Sequence, residues 1–177
     1  MNKQSLAILD TIIRESTLRL FAAFGVNLGG VSSLPENLDH TFSASIGFTN
    51  PSMPGMLIMT LDRELASRSR PAELQAGPLT EPDLDDWVGE LVNQLIGRIK
   101  NQLLRHQIEL EQSIPSVVRG RWLRRGIPGA AVSCPLSFSH GSGTVYVCFD
   151  AMAQEALELK TVVEECEGIS EGEVSLF

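Results

Sequence analysis

The chain has 177 residues and a formal net charge of −8, from 14 basic and 22 acidic side chains. This length suits one packed domain, and the acidic balance argues against a nucleic-acid binder, which needs a basic surface. No run approaches the ~20 consecutive apolar residues that cross a bilayer, and residues 1–6 lack the features of a signal peptide. We therefore expect a cytoplasmic protein that associates with neither nucleic acid nor membrane.

Acidic side chains crowd the C-terminal end, which is typical of a solvated segment. We expect a single domain over residues 1–164 and an acidic tail over residues 165–177. The cysteines are odd in number and the histidines lack ligand spacing, so we expect neither a disulfide framework nor a metal site. Cys134 and Cys148 lie in strand-like segments and are predicted to be small buried side chains.

Hydrophobic periodicity predicts four elements in the first half of the chain. Leu6, Leu9 and Ile13 begin a helical stripe, and Gly25 is placed to end that helix. The elements are a helix over residues 3–24, a half-buried strand over 41–48, a second strand over 56–61 and a short helix over 63–69.

A long helix over residues 81–105 opens the second half. Thr80 is placed to cap it, and Pro82 is tolerated in its first turn. The predicted elements that follow are strands over 108–118, 130–139 and 144–149, the last two joined by a hairpin turn at 140–143, and a final helix over 151–163.

The long helix has two different faces. At about 100° per residue, Leu84, Val88, Leu91, Val92, Leu95 and Ile99 fall on one side. Residues Asp86, Glu90, Asn93, Gly97 and Lys100 fall on the opposite side. On spacing alone this is an ordinary solvated face, in which Glu90 pairs with charges of its own surface and Gly97 packs against a strand.

The spacing within the polar face resembles a family signature. Asp86 is followed four positions later by Glu90, three later by Asn93, and after a further 21 residues by Pro115. This order is similar to the signature of the CheC/CheX-type chemotaxis phosphatases, which has an acidic residue or serine, then Glu, then Asn, then a distant Pro. The resemblance covers most of the chain.

The resemblance implies an α+β fold of duplicated αββ units, with a β-sheet packed by long helices. In the first unit Glu15 stands at the position of the signature's Glu, but Leu18 stands where the Asn would be. Only the second unit then carries the signature, as in the CheX type. Relatives of this type form homodimers by joining sheet edges, so a homodimer is expected.

The resemblance further implies hydrolysis of the aspartyl phosphate on a CheY-like receiver domain. Asn93 would orient the attacking water and Glu90 would pair with the receiver's lysine, while Asp86, Gly97 and Pro115 would support the contact. Mg²⁺ would arrive on the receiver, and the chain would need no cofactor of its own. The alternative is a non-catalytic adaptor that binds a receiver or CheD, or a flagellar-switch-like interaction protein.

Four arginines and two tryptophans lie outside the signature. The arginines at 119, 121, 124 and 125 either steer an acidic receiver or are exposed loop charges. Trp87 and Trp122 are predicted to be packing residues.

Overall fold

A computed structural model describes residues 1–29, 41–71, 79–120, 129–153 and 158–159. Two long helices pack against each other and against one face of a six-stranded sheet. The elements in chain order are α1 (Lys3–Ala23), β1 (Thr41–Thr49), β2 (Gly55–Asp62), α2 (Arg63–Arg68), α3 (Glu81–Leu104), β3 (Glu111–Gln112), β4 (Ser116–Gly120), β5 (Val132–His140) and β6 (Gly143–Ala151).

Every strand pairing in the sheet is antiparallel. Two hairpins, β1–β2 and β5–β6, lie side by side through the pairing of β2 with β6. The remaining edge of β1 is shared by two short strands: β3 pairs near its end and β4 pairs near its beginning. Strand β1 therefore holds both strands, β3 and β4, that lie between α3 and residue 121.

The core lies between the helices and the sheet. Alternate residues of β1 and β2, such as Phe42, Ile46 and Met59, point into it and are buried. Thr80 and Asp83 form a capping box at the start of α3, and their hydrogen bonds lower the pKa of the Asp83 carboxyl. Gly25, with φ of +74°, allows the left-handed turn that ends α1.

The predicted α+β class and seven of the predicted elements are confirmed, with boundaries close to those expected. The duplication of αββ units stays a prediction. Every helix in the described part of the chain is too short or too polar to cross a lipid bilayer.

The prediction of one strand over 108–118 is wrong. It is two strands, separated at Ser113, Ile114 and Pro115. Pro115 has no N–H to offer a ladder. The Ser113 hydroxyl accepts the N–H of Gly47 at 3.0 Å and so takes the place of a backbone carbonyl.

Strand β1 is also more buried than its alternation predicts. Ser43 and Ser45 lie on the face away from the helices, yet both are buried. Thr60 donates its hydroxyl hydrogen bond to Ser43 across the β1–β2 pair, which removes part of the cost of burying the Ser43 hydroxyl.

The predicted helix over 151–163 does not begin where expected, because Ala151 ends strand β6 and residues 152–153 and 158–159 are not helical. The rest of that helix, the domain end at residue 164 and the acidic tail lie outside the described residues.

The homodimer stays a prediction, and β5 is the strand at one end of the sheet order β3-β1-β2-β6-β5. On the side of β5 away from β6, the N–H of Gly29 donates to the Ser139 carbonyl. Strands at the end of a sheet can pair with a strand of another chain. We expect light scattering at micromolar concentration to give the dimer mass, with the exposed face of α3 free. A monomer mass, or a contact that buries Asn93, would contradict this.

Candidate functional site

Helix α3 presents the predicted polar face to solvent. Its apolar side is buried, including Val88, Leu91 and Leu95 at 0% exposure. On the opposite side Asp86 and Glu90 are exposed and Asn93 is half-buried. Burial of the apolar stripe therefore fixes the direction in which these polar side chains point.

A groove of about 410 Å³ runs between this face of α3 and the segment that separates β3 from β4. The groove brings together residues that are more than 20 positions apart in the sequence. Its principal polar and rim residues are Asp85, Asp86, Glu90 and Asn93 from α3, with Ser113, Ile114 and Pro115 from the opposite wall. Four of the five predicted site residues thus share one groove, and Gly97 lies one helical turn beyond it.

The second wall of the groove is anchored to β1. Ser113 donates its N–H to the Gly47 carbonyl at 2.9 Å, and its hydroxyl accepts the Gly47 N–H. A Cβ at position 47 would lie 3.2 Å from that hydroxyl oxygen, a tight contact that the Ser113 side chain would have to relieve by shifting a few tenths of an ångström. The anchored segment holds Ile114, 88% exposed, at the rim and Pro115 against the groove.

Two glutamines that the sequence analysis missed contact the central residues. The side-chain N–H of Gln112 donates to Asn93 Oδ1 at 2.8 Å, and that of Gln94 donates to Glu90 Oε1 at 2.8 Å. Spacing of four on a helix could have revealed Gln94. Gln112 could not be found in this way, because its approach depends on how β3 pairs with β1.

The acidic residues of the groove are not equivalent. Asp85 is paired with Arg119 of β4 at 3.2 Å, and Arg119 also contacts Glu81. Glu81 is paired in turn with Arg63. Within the described part of the chain, Glu90 has no ion pair, so Glu90 and Asp86 make the open groove acidic.

These ion pairs concern Arg119, one of the four arginines considered as steering charges. Arg119 is engaged by the chain's own carboxylates, so it is not a free steering charge. Residues 121–128, with the other three arginines and Trp122, lie outside the described residues. Trp87 is a packing residue, as predicted: it is buried edge-on against Phe24 and donates to the Ser69 hydroxyl.

The two buried cysteines are poorly suited to act as nucleophiles. Cys134 and Cys148 are free thiols within the sheet, and burial raises the pKa of each to about 11. Thiols with such values are mostly protonated at neutral pH and are poor nucleophiles. Among the described residues, no group of three or more His, Cys, Asp or Glu side chains is arranged to hold a metal ion.

The sequence profile of the family described as chemotaxis phosphatase CheX matches residues 42–139, more than half of the chain. The chain belongs to the CheX family. A search of curated proteins found none with significant sequence similarity to this CheX-family chain.

Solved structures support the same fold. The chain is 19% identical to the chemotaxis protein CheX from Vibrio vulnificus, with a TM-score of 0.70 over 80% of this chain and 94% of that one. It is 25% identical to a CheC-like superfamily protein from Shewanella sp. PV-4, with a TM-score of 0.66 over 85% and 99%. It is 15% identical to a chain of the CheX–CheY–BeF3–Mg²⁺ complex from Borrelia burgdorferi, with a TM-score of 0.55 over 78% of this chain and 96% of that one.

Gly97 provides a test of how the CheX-family helix uses its outer face. No described atom lies within 4 Å of a Cβ built at this position, so the alternative that Gly97 packs against a strand is not supported. We expect Gly97→Ala to stabilise the fold by about 0.8–1 kcal/mol, because alanine is the better helix former. Thermal unfolding should show a rise of roughly 2–4 °C in Tm. A fall in Tm would mean that the position is packed.

Proposed function

We propose that the chain hydrolyses the aspartyl phosphate of a CheY-like receiver domain that docks against the groove. The observation that carries this proposal is the convergence of Glu90, Asn93 and Pro115 at one exposed groove. The family is that of the chemotaxis phosphatase CheX, and a relative with the same fold was solved in complex with CheY.

Asn93 is the residue that we propose to act in the chemistry. Hydrolysis of an acyl phosphate needs a water in line with the bond that breaks, so catalysis depends on positioning and electrostatics. A carboxamide oxygen has two lone pairs, of which Gln112 occupies one, and the other is left for the water. The amide N–H groups can face a phosphoryl oxygen, and the neutral group adds no negative charge beside it.

Glu90 is proposed to anchor the receiver. Its exposed carboxylate would repel a phosphoryl group, but it suits the receiver's lysine. The hydrogen bond from Gln94 holds the carboxylate by one oxygen and leaves the other for the partner. Asp86 adds to the same negative potential at the groove.

The supporting residues follow from their positions. Pro115 interrupts the strand and shapes the wall, and Gly97 leaves room for the receiver beyond the groove. Mg²⁺ is proposed to arrive on the receiver. Among the described residues, the groove offers only Asp86 and Glu90 as carboxylates without an ion pair, fewer than a Mg²⁺ site without substrate oxygens normally uses.

A non-catalytic adaptor is the alternative, whether it binds a receiver, CheD or a flagellar-switch partner. An adaptor would need the groove for contact but would not depend on the carboxamide of Asn93. Hydrolysis by the Asn93 variant therefore separates the two functions.

We expect Asn93→Ala to slow receiver dephosphorylation by roughly 10²–10³-fold, the usual cost of removing one positioned catalytic hydrogen-bonding group. Binding to a receiver activated with BeF3 should change little. Phosphate release and calorimetry measure the two effects. Asn101→Ala is the matched control, because Asn101 is exposed on the same helix but does not line the groove. Equal turnover in both variants would refute the mechanism.

We expect Glu90→Ala to weaken receiver binding on the order of tenfold, which corresponds to about 1.4 kcal/mol, and to make the remaining affinity less dependent on salt. The affinity should be measured by calorimetry at two ionic strengths. Glu15→Ala is the control: Glu15 has the corresponding position in the first predicted unit but is paired with Arg19. Slower hydrolysis with unaltered affinity would assign Glu90 to the chemistry instead.

A further inference from the structure

The carboxamide of Asn93 is held by a residue from another element. Gln112 belongs to the two-residue strand β3, and its Nε2 donates to Asn93 Oδ1 at 2.8 Å across 19 positions of sequence. The bond joins strand β3 to helix α3. Among the described residues, it is the one hydrogen bond that the Asn93 side chain makes.

An asparagine side chain at a solvent-facing position has a weakly defined final torsion. Rotation about the bond to its carboxamide is broad and roughly two-fold, so oxygen and nitrogen exchange places at little cost. A donor placed at the oxygen favours one of the two orientations. The Nε2 of Gln112 is such a donor, and it leaves one oxygen lone pair and both amide hydrogens available.

The base of Gln112 is itself well anchored. Its backbone pairs opposite Phe48 of β1, and Phe48 is buried and stacked on Phe149 with ring centroids 4.5 Å apart. The next residue, Ser113, makes two hydrogen bonds with Gly47. The pairing of β3 with β1 therefore brings the exposed Gln112 side chain to Asn93, where the two carboxamides join.

We propose that Gln112 is a positioning residue that sets the orientation of the Asn93 carboxamide for attack by water. This inference rests on the proposed phosphatase function and adds a residue to it. Gln112 acts through Asn93 and has no contact of its own with the reacting atoms. Its loss should therefore lower the turnover number and leave receiver affinity unchanged.

Two substitutions separate donation from side-chain bulk. Gln112→Met keeps the length and removes the donor, and Gln112→Glu keeps the shape but offers only acceptors at neutral pH. We expect both to lower kcat roughly two- to tenfold, the range for one net hydrogen bond, with KM for phosphorylated receiver unchanged. Glu111→Gln is the control, because Glu111 is in the same short strand but, among the described residues, it is Gln112 and not Glu111 that is hydrogen-bonded to Asn93.

The double variants decide whether the effect passes through Asn93. In an Asn93→Ala background, Gln112→Met should lower kcat no further, because the group that it orients is gone. In the otherwise unchanged chain, the NMR signals of the Asn93 side-chain amide should shift in Gln112→Met and not in Glu111→Gln.

The outcomes distinguish this inference from the function on which it rests. Loss of activity in Asn93→Ala with wild-type kcat in Gln112→Met and Gln112→Glu would overturn the positioning role alone. A raised KM with unchanged kcat would make Gln112 a docking residue and would also overturn it. Equal activity of wild type and Asn93→Ala would instead refute the proposed function.

Discussion

The packing of α3 on strand β1 is the constraint on which the rest of the site depends. The helix buries an apolar stripe against the sheet, and each fully buried Val, Leu or Ile contributes about 1.5–3 kcal/mol. The same strand carries Ser113 through its pairing with Gly47. Both walls of the groove are therefore held by strand β1. The distance between Asn93 and Pro115 is set by β1 and not by the segment of chain that joins them.

Much of this arrangement could be predicted from the sequence. The stripe of α3 repeats at helical spacing and its cap has a recognisable chemistry, so the helix and its outer face follow from local rules. The separation of β3 from β4 follows only in part, because Pro115, which has no N–H to offer a ladder, marks a break in the run from Ile108 to Val118. The Ser113 hydroxyl also takes the place of a backbone carbonyl there, and this leaves no trace in hydrophobic alternation.

The same limit applies to the polar contacts. Which acid of α3 is neutralised depends on the register that brings Arg119 of β4 to Asp85. The burial of Ser43 depends on Thr60 across the sheet. Gln112 reaches Asn93 only because β3 pairs at the end of β1. These are all pairings between distant segments, and the spacing of residues within one segment contains no information about them.

The two long helices show that residue types and spacing identify a site less well than the contacts those residues make in the fold. In α1 two positions with the same spacing serve the helix itself: Glu15 is paired with Arg19 at 3.3 Å, and Leu18 packs partly against the core. In α3 the matching positions face a groove, and their hydrogen bonds come from two glutamines that leave part of each polar group available. A Glu and an Asn one turn apart are common on helices. What distinguishes α3 is that strand β3 supplies a donor to the carboxamide and that the second wall, anchored to the sheet, confines the space in front of it.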